Sequence, residues 1–284
     1  MPPKPPSARL THFLCIPLVT AASKPQLQSA LSAFTSKASS PNDPLARIPE
    51  KAIRPLGTLH LTLGVMSLLT PERIEAALAV LRTLNLQEIL AATKSADVRT
   101  RTGEAQQGVS EGAGALSGAL SGALSGEGAG ILPESGSDMG EAKETLYITL
   151  QGLHSMQDAS RTSVLYAAPL DPERRLHRFC EALRVLFAGF LVREERRPLV
   201  LHATIVNTVY LPRNSSWVGA GREKRKGRRE RYTLDARGLV REFEDCVWMR
   251  DVRLEKVAVC RMGAKVSECG KEEYEVEGEV EVPG

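Results

Sequence analysis

Apolar and polar positions alternate in the same way at two distant places in the chain. In Leu59-His60-Leu61-Thr62-Leu63-Gly64-Val65, an extended strand puts Leu59, Leu61, Leu63 and Val65 on one side and His60 and Thr62 on the other. In Val200-Leu201-His202-Ala203-Thr204-Ile205-Val206, Leu201, Ala203 and Ile205 share a side, with His202 and Thr204 opposite. Each strand is expected to rest its apolar side on a core and to show an imidazole and a hydroxyl to one face. If the strands are neighbours, two histidines and two threonines converge on one cleft.

The remaining pattern fills in two batches of elements around those strands. Phe13 to Leu18 reads as a strand that Pro17 confines to a strand end or an edge. Ser23 is an N-cap before a helix reaching about Lys37, with Leu27, Ala30, Leu31 and Phe34 at helical spacing. Thr70-Pro71-Glu72 starts a second helix with Ile74, Ala77, Leu78, Leu81 and Leu84 as its stripe. Later, Thr145 to Leu150 and Val164 to Pro169 read as strands. Asp171-Pro172-Glu173 opens a helix that buries Leu176, Phe179, Cys180, Leu183, Leu186, Phe187 and Phe190. A helix from Ala236 to Cys246 and strands at Leu254 to Met262 and Tyr274 to Val282 close the chain.

Between the batches the composition changes. Residues from about 93 to 142 are rich in Gly, Ser, Ala and Glu, with Gly-Ala-Leu-Ser repeated in tandem from Gly114 to Ser125. Such a stretch buries too little apolar surface to offset the entropy of ordering, so a disordered insertion in a loop is expected, with no domain boundary. A short helix at 115 to 125 is opposed by a glycine at every fourth position. Residues 1–10, Pro-rich, are expected to be a loose tail, and 11–282 one bilobal domain.

Charge and cysteine usage narrow the setting. A net charge of +3 over 284 residues gives no overall argument for a dedicated nucleic-acid binder. Five scattered cysteines without a Cys-x-x-Cys pair argue against a zinc site or a disulfide framework and point to a reducing intracellular compartment, cytoplasm and/or nucleus. There is no apolar run that predicts a signal peptide or a membrane span. The basic stretch from Arg222 to Arg231 could contact RNA phosphates, serve as an import signal, or be a solvated loop. His12, His154 and His177 lack a threonine partner, and Phe13, Tyr147 and Tyr166 are expected in the core.

Paired imidazoles suit phosphodiester cleavage. With an ordinary pKa near 6.5, one can take a proton while the other gives one. Threonine hydroxyls beside them can donate to the non-bridging phosphate oxygens, where charge gathers in the transition state. No Asp, Glu or Cys accompanies either histidine at a metal-like spacing, so no metal and no cofactor is expected. There is neither a phosphate loop of the Gly-x-x-x-x-Gly-Lys form nor a Gly-x-Ser-x-Gly elbow.

Two His-x-Thr motifs in paired lobes resemble the 2H phosphoesterase superfamily. Phe13 to Leu18, Gly57 to Met66, Leu150-Gln151-Gly152-Leu153 and Cys260-Arg261-Met262-Gly263-Ala264 resemble the phosphoesterase-like domain of nuclear-localisation-type A-kinase anchoring proteins and of subunit 1 of the activating signal cointegrator 1 complex. The resemblance covers about residues 11 to 282. It implies an α+β, bilobal, LigT-like fold in which two small antiparallel sheets flank a cleft, with helices outside. It also implies that His60 and His202 act as general acid and base, and that Thr62 and Thr204 hold the phosphate. Activities across the superfamily include opening of 2′,3′-cyclic phosphates, trimming of RNA 3′ ends and hydrolysis of 2′,5′-linked oligoadenylates. No counterpart of the cointegrator subunit's RNA-binding KH domain is expected in these residues. The expected function is thus a metal-independent phosphodiesterase acting on a nucleotide or RNA substrate. The alternative is a nucleotide- or RNA-binding regulatory module without turnover, one subunit of a transcription-coactivator or RNA-repair type of complex.

Overall fold

A computed structural model describes residues 9–40, 48–94, 144–192, 198–211 and 232–283. The first batch of elements is β1 (His12–Pro17), α1 (Lys24–Ala38), β2 (His60–Met66), α2 (Pro71–Arg82) and α3 (residues 86–94). The second is β3 (Tyr147–Ser155), β4 (Val164–Pro169), α4 (Arg175–Leu186), β5 (Ala203–Asn207), α5 (Arg237–Glu242) and β6 (Val247–Arg253). The chain then returns to the first half with β7 (Lys256–Arg261), a small hairpin of β8 (Lys265–Val266) and β9 (Glu272–Glu273), and β10 (Val276–Glu281).

Eight of these strands lie in the order β10-β7-β1-β2-β5-β4-β3-β6, every neighbouring pair antiparallel. Four strands belong to each half. The halves meet where β2 and β5 pair through Leu61 opposite Ala203. The two expected sheets are therefore joined edge to edge, and both His-x-Thr segments lie at the seam.

The halves repeat one another in a further detail. Cys15 pairs with Thr62 while Leu14 pairs with Gly64, leaving Leu63 as an extra residue in β2. Tyr166 pairs with Thr204 while Leu165 pairs with Val206, leaving Ile205 extra in β5. Each strand thus bulges at the residue after its threonine, and a bulge bends the strand and re-aims the side chains beyond it. This corrects one expectation: Val65 does not share the side of Leu61. It packs with Phe13, Cys15, Ala258 and Cys260 on the face that carries His60.

The helices cover the opposite face. α1 packs on β6, α4 on β2, α2 on β7 and β10, and α5 on β3, so helices from each half brace a strand of the other. Leu27, Leu31 and Phe34 of α1 and Leu176, Phe179 and Leu183 of α4 are buried in one core with Leu61, Leu63, Ala203 and Ile205. Phe34, Phe243 and the fully buried Trp248 form a ring cluster with centroids 5.1–6.4 Å apart. The Trp248 indole donates to the Gly152 carbonyl at 2.8 Å. Gly152, with φ +72°, occupies an irregular step of β3 that a side chain would strain.

Helix starts follow the sequence signals. The Thr70 hydroxyl accepts from Arg73 N, and the Asp171 carboxylate accepts from the amides of Leu176 and His177 at the start of α4. Ser23 stands at the N-cap position of α1 but turns its hydroxyl back to Leu18 O. Three expectations fail. Leu186 is exposed. The helix expected over 236–246 stops at Glu242 and gives way to β6, because Trp248, Met249 and Val252 are needed as the edge of the sheet under α1. Residues 86–94 form a helix where none was expected, and its buried end, Leu90 and Thr93, runs into the start of the low-complexity stretch. The rest of that stretch and the basic segment Arg222–Arg231 lie outside the described residues.

Candidate active site

Counting along the ladder from Leu61 and Ala203 brings His60 beside Thr204 and Thr62 beside His202, all on the face away from the helices. The burial pattern agrees: His60, Thr62, His202 and Thr204 are partly exposed, whereas Leu61, Leu63, Leu201, Ala203 and Ile205 are buried. All four candidate residues are therefore gathered on one surface of the seam.

The two imidazoles are held alike. His60 Nδ1 lies 2.8 Å from Thr58 O, and His202 Nδ1 lies 2.8 Å from Val200 O. A carbonyl only accepts, so each Nδ1 must carry the proton and donate it, which leaves each Nε2 as the free, basic nitrogen. Both rings are thus fixed as the same tautomer by a carbonyl two residues upstream. His60 Nε2 accepts from the Thr62 hydroxyl at 3.0 Å.

Their surroundings differ. His60 lies against Phe13 (centroids 4.8 Å) and meets Tyr274 edge-on (5.2 Å, 88°). Burial pushes its pKa from 6.5 down to about 4, against the pull of the Thr58 carbonyl and with help from the charges of His202 and Arg54. His202 meets Tyr166 edge-on at 5.5 Å, and Tyr166 leads on to His154 at 5.5 Å. Beneath Phe13, the Cys15 and Cys260 sulfurs are 3.8 Å apart. The hydrogen bond between them and burial raise the Cys15 pKa well above its ordinary value, which keeps it a thiol.

Several residues at the site carry no sequence signal of it. Arg54, Tyr210 and Tyr274 come from a loop, from the turn after β5 and from the segment before β10. Arg54 N donates to Ile205 O at 2.7 Å, its guanidinium lies 4.0 Å over the Tyr210 ring, and its Nη2 donates to Tyr274 Oη at 3.3 Å. The β8–β9 hairpin packs closely on Gly57 here, where a Cβ would lie 2.7 Å from Glu272 O. Tyr166 and His154, expected respectively in the core and apart from the site, are on the site face. Phe13 is buried as expected, and Tyr147 is exposed. His12 and His177 lie elsewhere: His12 is buried beside Glu277, and His177 is on α4 near Glu181. Among the described residues, no three His, Cys, Asp or Glu side chains group as a metal centre requires.

A two-lobed antiparallel sheet, helices on one face and a pair of histidine–threonine couples on the other, defines the class: a two-histidine α+β phosphoesterase-like domain. The chain belongs to the family described as the AKAP7 2′5′ RNA ligase-like domain, whose model matches residues 10–282, and through it to the 2H phosphoesterase superfamily. An uncharacterised protein of Schizosaccharomyces pombe is 30% identical over 138 residues, a stretch covering 48% of this chain and 57% of that protein. Similar folds are E. coli LigT complexed with 3′-AMP (TM-score 0.46, 12% identity, 97% of this chain and 99% of that one) and a crystal structure of a phosphoesterase (TM-score 0.44, 12% identity, 97% and 99%).

Proposed function

We propose that this protein is a metal-independent phosphodiesterase acting on RNA ends or small nucleotides, with a 2′,3′-cyclic or 2′,5′-linked phosphate as the group attacked. The observation that carries this reading is the matched tethering of His60 and His202, which leaves both Nε2 atoms unprotonated on the face that carries Thr62 and Thr204.

The division of labour follows from the surroundings. His60, neutral down to about pH 4, is the base: its Nε2 takes the proton from the attacking water or ribose hydroxyl. The new P–O bond forms as the bond to the leaving oxygen breaks, and His202 gives its proton to that oxygen. The Thr62 hydroxyl turns from His60 Nε2 to a non-bridging phosphate oxygen, and Thr204 serves another. After a cyclic substrate the product is a phosphate monoester, and the two protons end with the histidines' roles exchanged. The five cysteines are free thiols, in keeping with a cytoplasmic or nuclear setting. Among the described residues no helix is long and apolar enough to cross a membrane.

The test is hydrolysis of 2′,3′-cyclic, 2′,5′-linked and 3′,5′-linked substrates in excess chelator by wild type, His60→Ala and His202→Ala. Turnover in chelator that each substitution lowers at least about 100-fold is expected. Equal rates in all three proteins refute the proposal, loss of activity with chelator refutes metal independence, and binding without turnover points to a regulatory module.

A further inference from the structure

One charge at the His60 end of the cleft neither takes nor gives a proton in the acid–base scheme. Arg54 is 6% exposed, and its backbone is fastened to β5 next to Thr204: its amide donates to Ile205 O, and Ile53 bridges Val206. Its guanidinium lies over Tyr210 and is tied to Tyr274, the same ring that meets His60. It is close enough to His60 for its charge to be felt there.

This cation is poorly matched. A guanidinium has five N–H donors in a planar fork. Among the described residues one of them makes a hydrogen bond, the 3.3 Å contact to Tyr274 Oη. Among the described residues the one carboxylate within 4 Å is Glu272, whose Oε1 is 3.9 Å away, too far for a hydrogen bond, and whose side chain is 34% exposed. The Tyr274 pKa is pushed up to about 12, chiefly by burial, so the phenol stays neutral and adds no counter-charge. Holding a cation out of water with so little compensation is costly. A phosphate supplies the missing charge in the two-pronged geometry that guanidinium favours.

We propose that Arg54 binds a second phosphate of the substrate, adjacent to the one the histidines act on, so that the site prefers a strand end bearing a further phosphate to one without it. The proposal rests on the phosphodiesterase reading for its substrate class, yet it is tested by binding, which does not need turnover. Glu272 competes with that phosphate for the guanidinium, so removing its charge should help.

The experiment is calorimetry of wild type and of His202→Ala, Arg54→Gln and Glu272→Gln variants with 2′,5′-linked diadenylate, the same dimer with a 5′-phosphate, and the triadenylate. The dimer and phosphorylated dimer differ only in a terminal phosphate, and the triadenylate offers a second internucleotide phosphate instead. The added phosphate is expected to tighten binding about 10- to 100-fold in wild type and His202→Ala. Arg54→Gln should abolish that advantage, and Glu272→Gln should enlarge it. A purely structural Arg54 would weaken all three ligands alike. Equal affinity of wild type for dimer and phosphorylated dimer, with triadenylate no tighter, overturns the proposal while leaving the catalytic reading standing. A phosphate preference in a protein that hydrolyses nothing upholds Arg54 and sinks the catalysis. Should Arg54→Gln not fold, the wild-type comparison and Glu272→Gln decide the matter.

Discussion

Acid should cost this protein stability through one residue in particular. His60 keeps its ring neutral because charging it would strand a cation under Phe13 and Tyr274, next to His202 and Arg54. In the unfolded chain the same ring titrates near 6.5. Between about pH 6.5 and pH 4 the unfolded state therefore holds a proton that the folded state refuses, and stability falls as pH falls through that window. Above pH 6.5 both states are neutral and the contribution is flat. A lowering from 6.5 to about 4, at about 1.4 kcal/mol per unit, with a discount for the ring's partial exposure, amounts to about 2–3 kcal/mol. The assay is urea unfolding of wild type and His60→Gln at pH 7, 5.5 and 4. Comparing the two proteins cancels the carboxylates common to both. Wild type should lose about 2–3 kcal/mol more than the variant between pH 7 and pH 4. Parallel curves, or a wild type that loses less, would refute the claim that His60 is held neutral by its surroundings.

Two further outcomes follow from the geometry. Thr62→Val and Thr204→Val keep the strand shape but remove a hydroxyl from the phosphate, so each should lower kcat by about 10²-fold or more with little change in unfolding midpoint. Steady-state kinetics beside a urea titration separates the two effects. Trp248→Phe leaves the buried Gly152 carbonyl without its indole partner and opens space beside Phe34 and Phe243. A loss of about 2–4 kcal/mol is expected, read by denaturant unfolding, with substrate KM unchanged in the protein that remains folded.

The layout of the seam was legible because it is written in strand periodicity. His60, Thr62, His202 and Thr204 share a face for the reason alternation predicts, and their apolar neighbours fill the core. Alternation misleads as soon as a strand gains a residue. Gly64 inside β2 was a cue for a bulge, whereas β5 offers only the adjacent buried pair Ile205 and Val206. The other walls of the site were not legible. Arg54, Tyr210 and Tyr274 sit in connections with no period, and they meet only because Ile53 and Arg54 take over the pairing to β5 where β2 turns away. Likewise Tyr166 looked like a core residue, since its strand is apolar on both sides, but the register that sets it opposite Thr204 is a tertiary fact. The strand at 247–253 was hidden because its value lies in closing a sheet whose other members are distant in sequence.

The most direct test of the two-histidine account is the pH dependence of kcat/KM on a good substrate, with chelator present, in wild type and both single variants. Wild type should give a bell whose acid limb, from His60, lies near pH 4 rather than near 6.5. His60→Ala should erase that limb, and each single substitution should bring a large fall in rate. A bell that survives either substitution unchanged would contradict the account.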